Sequence, residues 1–232
     1  RQIQYEGEPV SYNVIMEPTQ QNWIYTLMAP QIVDERLWMR REFQVGTVRP
    51  ISQRFTYEAD SYFEHKVDLT LSSRMVENST SLPAEGNVQS HAFAQQLRAQ
   101  VDSDREYVNA VLDHIRNEEF YYTLSPSLLG ENSIDDFLLN THEGFCEHYA
   151  SAFTFLMRSV GIPSRVVLGY QGGEFNKYNE TLIVRQYDAH AWTEVWLEGE
   201  GWVHFDPTFA VAPGRIEFGS QSTLQEDEGF LD

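Results

Sequence analysis

Cys146, His190 and Asp206 are the residues of this sequence whose types and order suit covalent chemistry at a carbonyl carbon. Cys146 is the only cysteine among 232 residues, which excludes an internal disulfide and any zinc site that needs two or more thiolates. On count alone a single thiol reads as buried filler, because free cysteine is among the most buried residue types. Its place in the chain gives a sharper reading. Over 144–163 the apolar residues Tyr149, Phe153, Leu156, Met157 and Val160 fall on one helical face, Gly161 supplies the stop and Pro163 prevents continuation. Cys146 then lies in the first helical turn, where unpaired N–H groups and the positive dipole end favour a thiolate. Helix starts and a neighbouring imidazolium bring a cysteine pKa from about 8.5 to between about 3.5 and 7.5, so a thiolate at neutral pH is expected.

The imidazole and the carboxylate lie on two strands. His190-Ala191-Trp192-Thr193-Glu194-Val195-Trp196-Leu197 and Trp202-Val203-His204-Phe205-Asp206 flank Glu198-Gly199-Glu200-Gly201, the pattern of a β-hairpin. Side chains alternate along a strand, so His190, Trp192, Glu194 and Trp196 share one face, as do Trp202, His204 and Asp206. If Trp196 pairs with Trp202, Trp192 lies opposite Asp206 and His190 is its diagonal neighbour, roughly 5 to 8 Å away between Cβ atoms. A register slipped by one residue puts the two groups on opposite faces. In the correct register Asp206 can orient the ring, and His190 can take the thiol proton and later give one to a leaving amine.

The elements that must position these groups are legible more coarsely. With 41% hydrophobic and 13% aromatic residues, the chain can bury one sizeable core or two modest ones. From Val10 to about Met75 short alternating runs, such as Tyr12-Asn13-Val14-Ile15-Met16 and Arg54-Phe55-Thr56-Tyr57, read as antiparallel β structure. The polar, breaker-rich stretch 77–87 reads as a linker. Beyond it, Phe93, Leu97 and Val101, then Tyr107, Val111, Leu112 and Ile115, recur at helical spacing, with Asp102 or Ser103 as a cap between. The expected organisation is a β-rich accessory domain with linker over 1–88, a catalytic core over 89–212 and a loosely held tail over 213–232. A net charge of −19 argues against a nucleic-acid partner, since a phosphate backbone would be repelled; the acidity fits either solubility or attraction of amine-bearing substrates. No run of eighteen apolar residues occurs, and a chain opening on Arg1-Gln2 without a signal segment is expected to be an excised soluble region.

Other candidates have plainer readings. Cys146 and His148 are two residues apart and point away from one another on a helix, so a His142-Cys146-His148 zinc site is not favoured and no metal or cofactor is expected. No acidic loop with the EF-hand glycine exists. Glu147 reads as a helix N-terminal charge, Glu194 as a satisfied polar neighbour and Arg165 as a surface salt-bridge partner. Trp196 and Trp202 read as core aromatics, whereas Trp192, two positions from His190 on the same face, is a candidate substrate-binding residue.

Four blocks together carry a family resemblance. Gly144-Phe145-Cys146-Glu147-His148-Tyr149-Ala150, then Gly161-Ile162-Pro163-Ser164-Arg165-Val166-Val167-Leu168-Gly169-Tyr170, then Asp188-Ala189-His190-Ala191-Trp192-Thr193-Glu194-Val195-Trp196, then Gly201-Trp202-Val203-His204-Phe205-Asp206-Pro207-Thr208, resemble the transglutaminase-like core in order and spacing. The resemblance runs from about Ser90 to Phe209 and takes in Phe120-Tyr121-Tyr122-Thr123. It implies an α+β fold with a papain-like core, in which a helix carrying the cysteine packs on an antiparallel sheet carrying His190 and Asp206. It also implies a Cys-His-Asp triad. The whole chain is similar to the soluble region of TgpA-type bacterial proteins, which implies a periplasmic domain of a membrane-embedded parent. The implied activity is thioester-forming acyl transfer from a glutamine carboxamide of a protein or peptide to an amine; amide or peptide hydrolysis by the same triad, and a silent binding or scaffold module, are the rivals. Animal transglutaminases place an oxyanion-stabilising Trp before the cysteine, and none lies between Trp38 and Cys146 here. The Cys146 backbone N–H and the Tyr122 side chain are the alternative oxyanion donors.

Overall fold

Alternation of apolar and polar residues in the first part of the chain becomes a set of short antiparallel strands. In the computed structural model, which describes residues 3–40 and 43–212, these are β1 (Ile3–Glu6), β2 (Val10–Met16), β3 (Trp23–Ile24), β4 (Pro30–Gln31), β5 (Leu37–Met39), β6 (Val45–Thr47), β7 (Phe55–Ser61) and β8 (Glu64–Val67). They pair as β1-β8, β2-β7-β4 and β3-β6-β5. In β7, Tyr57, Ala59 and Ser61 are buried and alternate with more exposed residues, the period-2 signature of a strand with one covered face. Met16, Ile24, Val45, Ile51 and Tyr57 form the core of this unit.

The chain divides between Leu69 and Thr70, and each side forms its own unit. The β pattern read as far as Met75 stops at Val67, and α1 (Ser73–Thr80) takes up the start of the stretch read as a linker. Its polar side chains hid it. The Ser72 hydroxyl accepts the Met75 N–H, while Ser79 and Thr80 donate to the carbonyls of Met75 and Val76, so residues that resemble breakers are satisfied within the helix. The tail expected over 213–232 lies outside the described residues.

In the second unit, α2 (Val88–Arg98), α3 (Asp104–Asn117), β9 (Tyr121–Tyr122) and the short α4 (Ser133–Asp136) lead through a π-helical turn (Phe137–Thr141) and β10 (Glu143–Gly144) into α5 (Cys146–Ser159). There follow β11 (Ser164–Tyr170), the small hairpin of β12 (Glu174–Asn176) and β13 (Thr181–Ile183), then β14 (Ala189–Leu197) and β15 (Gly201–Phe205). Ser103 caps α3 with Glu106 bonding back to complete a capping box. Val101 lies beyond the end of α2 yet still packs against the core.

The core is built around α5. Tyr149, Phe153, Leu156 and Met157 are fully buried, as the spacing predicts, against Tyr107, Val108, Val111 and Ile115 of α3 and Val195 and Leu197 of β14. The Tyr107 hydroxyl donates to the Leu156 carbonyl at 3.1 Å. Gly161 follows the helix at φ 80°, a left-handed conformation suited to glycine. The sheet runs β11-β14-β15, all antiparallel, and Trp196 faces Trp202 in the register that the sequence reading requires.

Truncating a buried aromatic in such a core costs about 3–5 kcal/mol. Phe153→Ala should therefore lower unfolding stability by that amount in urea denaturation, whereas Tyr178→Ala, at a fully exposed position, should stay within about 0.5 kcal/mol of wild type. A loss below about 1 kcal/mol for Phe153→Ala contradicts the packing assigned to α5.

Candidate active site

Cys146 occupies the first position of α5, and the backbone before it is fixed from several sides. The π-helical turn ends at His142, whose left-handed conformation (φ 55°) redirects the chain. The His142 ring stacks on Phe120 and its Nε2 bonds the Leu138 carbonyl at 2.9 Å. β10 pairs in parallel with β9, which sets Gly144 beside Tyr122. A Cβ at Gly144 would come 2.7 Å from the Cβ of His148, so only glycine admits this close approach. His148 in turn accepts the Phe145 N–H on Nδ1 at 3.3 Å and satisfies a backbone donor at the helix start that the side chain of Phe145 cannot cap. The imidazoles of His142 and His148 are thus committed to backbone partners.

Along β14, Ala191, Thr193, Val195 and Leu197 are buried, and Thr193 bonds both the Ala150 carbonyl and the Thr154 hydroxyl of α5 at 3.1 Å. These contacts fix the strand to the helix that carries the sulfur. Ala191 packs with Cys146 and Ala150. His190, on the alternate face, hydrogen-bonds the Cys146 side chain and meets Asp206 Oδ2 through Nε2 at 2.7 Å. With Nε2 committed to the carboxylate, Nδ1 is the ring atom left for the sulfur.

Asp206 is held at its other oxygen as well. Its Oδ1 accepts the Thr208 N–H at 3.0 Å, capping a 3₁₀ turn (Pro207–Ala210) that starts with proline. Cys146 and His190 are 7% and 4% exposed, so the pair is shielded from bulk water without being isolated from each other. Burial disfavours the charged imidazole. The hydrogen bonds and charges of Asp206 and Cys146 outweigh it, and the His190 pKa rises from 6.5 to about 8.

The remaining sequence candidates fall around this centre. The Trp192 ring lies 6.3 Å from the His190 ring at 27°, and 5.5 Å from that of His204. Tyr122 is next to Gly144 through the β9–β10 pairing. Arg165 and Glu194, directly paired across β11 and β14, form a 2.5 Å ion pair, with the guanidinium over Trp202. Glu147 is exposed beside the cysteine.

Three supporting residues escaped the sequence reading. Gly169 pairs with His190, and a Cβ there would come 2.7 Å from the Trp192 ring, so glycine makes room for the indole. A glycine inside an apolar strand pattern is the signal that marks such close approach. Thr208 was readable from Asp206-Pro207, an acidic cap followed by proline. His148 left no local signal, because its role depends on the turn made by Gly144.

The chain is similar to several known proteins. Residues 91–207 match the transglutaminase-like superfamily and residues 1–68 match the TgpA N-terminal domain. A protein-glutamine gamma-glutamyltransferase of Pseudomonas aeruginosa is 39% identical over 98% of this chain and 34% of its own length. The chain thus spans about a third of that curated relative. The crystal structure of the periplasmic domain of TgpA from P. aeruginosa superposes with a TM-score of 0.92, covering 95% of this chain and 76% of that one at 39% identity. A structure from Cytophaga hutchinsonii, 16% identical, superposes with a TM-score of 0.54 over 90% of this chain and 80% of that one, a likeness of fold alone.

The raised pKa of His190 has a sign that can be checked. Because the folded state favours the imidazolium, this group stabilises fully below pH 6.5, and the contribution disappears as pH rises through about 8. A rise of that size corresponds to about 2 kcal/mol. Because a thiolate at Cys146 would carry the opposite linkage over the same window and mask this loss in overall stability, the His190 midpoint itself is the readout: an NMR titration of the imidazole should give about 8 in the wild type, and Asp206→Asn should bring it down toward 6.5. An unchanged midpoint in the variant contradicts the assigned pairing.

Proposed function

This chain belongs to the transglutaminase-like superfamily, and from that premise we propose that it is a cysteine-dependent acyltransferase acting on glutamine carboxamides through Cys146, His190 and Asp206. The observation that carries the proposal is the single imidazole bonded to both the sulfur at the start of α5 and the carboxylate after β15. The name of the P. aeruginosa relative supports a protein-glutamine donor. The crystal structure of that organism's TgpA periplasmic domain supports a periplasmic location on a membrane-embedded parent. Among the described residues no helix is long and apolar enough to cross a membrane.

In the first half-reaction the Cys146 sulfur attacks the carboxamide carbon. As the C–N bond breaks, the His190 imidazolium gives its proton to the departing nitrogen, and ammonia leaves a thioester behind. An amine then attacks the thioester carbon, neutral His190 takes its proton, the C–S bond breaks and an isopeptide link forms. Asp206 keeps its charge throughout and holds the ring in orientation. The oxyanion of each tetrahedral intermediate is assigned to the Cys146 backbone N–H and the Tyr122 hydroxyl, a reading supported by the placement of Tyr122 beside Gly144. Trp192 is assigned to the acyl-binding wall. Its indole N–H is buried and meets no acceptor among the described residues, which supports donation to a bound substrate.

The test is mass spectrometry of the protein incubated with a glutamine peptide and a primary-amine lysine analogue. Amine incorporation with ammonia release is expected for the wild type and none for Cys146→Ala, while His190→Ala should lower the rate by about 10²–10⁴-fold. Glutamate formation without incorporation would reassign the acceptor to water. Peptide-bond cleavage would make the protein a peptidase. No turnover, combined with a Cys146 alkylation rate no faster than that of a free thiol, would leave a silent scaffold.

A further inference from the structure

The catalytic sheet runs β11-β14-β15, so β11 has one side turned away from β14. In an antiparallel ladder, directly opposite residues alternate between pairs that exchange backbone hydrogen bonds and pairs that do not. Just beyond the two ends of the β11–β14 ladder, the Trp196 N–H donates to the Pro163 carbonyl and the Gln171 N–H to the Asp188 carbonyl. Arg165, Val167 and Gly169 therefore bond to β14, and the backbone groups of Ser164, Val166, Leu168 and Tyr170 point outward. Ser164 agrees: its carbonyl accepts Arg158 Nε and Nη2 at 3.0 and 2.8 Å from outside the ladder.

Arg158 and Pro163 thus close the first part of this edge. The later part is open. Among the described residues the outward N–H and C=O groups of Val166 and Leu168 meet no partner, and the two residues are 39% and 70% exposed. The run Val166-Val167-Leu168-Gly169-Tyr170 has none of the prolines or charges that commonly blunt a free edge.

The open part is also the part beside the triad. Gly169 is paired with His190, and Leu168 with Ala191, which packs against Cys146. Opposite residues share a face, so Leu168 projects on the side of the sheet where α5 lies, and Leu168, Ala191 and Cys146 form a continuous row from the edge to the sulfur. Strands lie about 4.8 Å apart, which places a further strand on this edge about 10 Å from the one that bears His190. Outward donors and acceptors repeated at every second residue are complemented by an extended polypeptide backbone, whatever its side chains.

We infer that the edge of β11 from Val166 to Tyr170 holds a flank of the glutamine-donor polypeptide as an added strand, with the reactive glutamine at the end beside Gly169 and His190. The inference rests on the acyl-transfer reading above and adds how the donor is held: through its backbone, with little demand on sequence.

The test uses the wild-type protein and one glutamine peptide in which single flanking backbone N–H groups are replaced by N-methyl, with ammonia release as the readout. An added strand turns alternate N–H groups toward its neighbour. On one side of the glutamine, methylation at every second residue should therefore lower kcat/KM by about two- to tenfold, with smaller effects at the residues between. No loss at any position, or a loss without alternation, overturns the inference. Leu168→Pro makes the matching change in the protein, because the N–H it removes is not part of the ladder with β14. That variant should lose about two- to tenfold on the peptide and keep its rate on N-acetylglutamine amide, while Leu168→Thr, which retains the N–H, should keep both. A loss on the peptide no larger than that on the small donor overturns the inference; should Leu168→Pro fail to fold, the N-methyl series decides alone. A wild-type dimer that Leu168→Pro dissociates would give the edge to a second copy of the chain and overturn it as well. Binding of the same peptides to Cys146→Ala, followed by fluorescence anisotropy, reads the edge without turnover. Alternating losses there, with no turnover of any peptide by the wild type, mean that the acyl-transfer reading fails and the added strand stands; turnover without alternation in either assay means the reverse.

Discussion

One imidazole uses both of its nitrogens, one on a sulfur and one on a carboxylate, inside a nearly dry site, and the rest of this structure depends on that arrangement. The ring is 4% exposed, a setting in which burial by itself drives protons off. Asp206 and Cys146 reverse that tendency and raise the pKa to about 8. A site of this kind works only if both partners stay in place. Either one missing would leave a buried ring with an unmatched polar atom, at a cost of about 1–3 kcal/mol.

The fold meets this demand with rigid elements. The sulfur is fixed by the chain's entry into α5, where the π-helical turn, the close approach at Gly144 and the His148 cap leave the backbone little freedom. The ring is fixed by the bonds of Thr193 to α5 and the carboxylate by the 3₁₀ turn that Asp206 itself caps. Tyr149, Phe153, Leu156 and Met157 then hold α5 in the second unit's core. The face that fills the core and the end that bears the Cys146 sulfur belong to the same fourteen residues, so the packing of this helix also fixes the position of the proposed nucleophile.

Much of this could be read from the sequence, and the reasons are physical. The α5 pattern is strong because its apolar face, Gly161 and Pro163 all agree. The β14–β15 register is strong because parity allows one answer that brings His190 and Asp206 together. Asp102 or Ser103 could be read as a cap before α3, and the structure gives the role to Ser103, with Glu106 bonding back. What stayed hidden depends on non-local or internally satisfied contacts. The α1 helix looked like a linker because Ser79 and Thr80 satisfy their hydroxyls on their own helix. The parallel pairing that brings Tyr122 to Gly144 joins residues far apart in sequence. The backbone role of His148 exists only after that turn has formed.

In the proposed mechanism the imidazole and the helix start together keep the Cys146 sulfur as an anion at neutral pH. The most direct measurement is the ultraviolet thiolate absorbance of the protein as a function of pH, which is unambiguous because the chain has one cysteine. The expected wild-type midpoint lies well below the ordinary thiol value of about 8.5 and moves back toward it in His190→Ala. A wild-type midpoint at or above about 8.5 would contradict it.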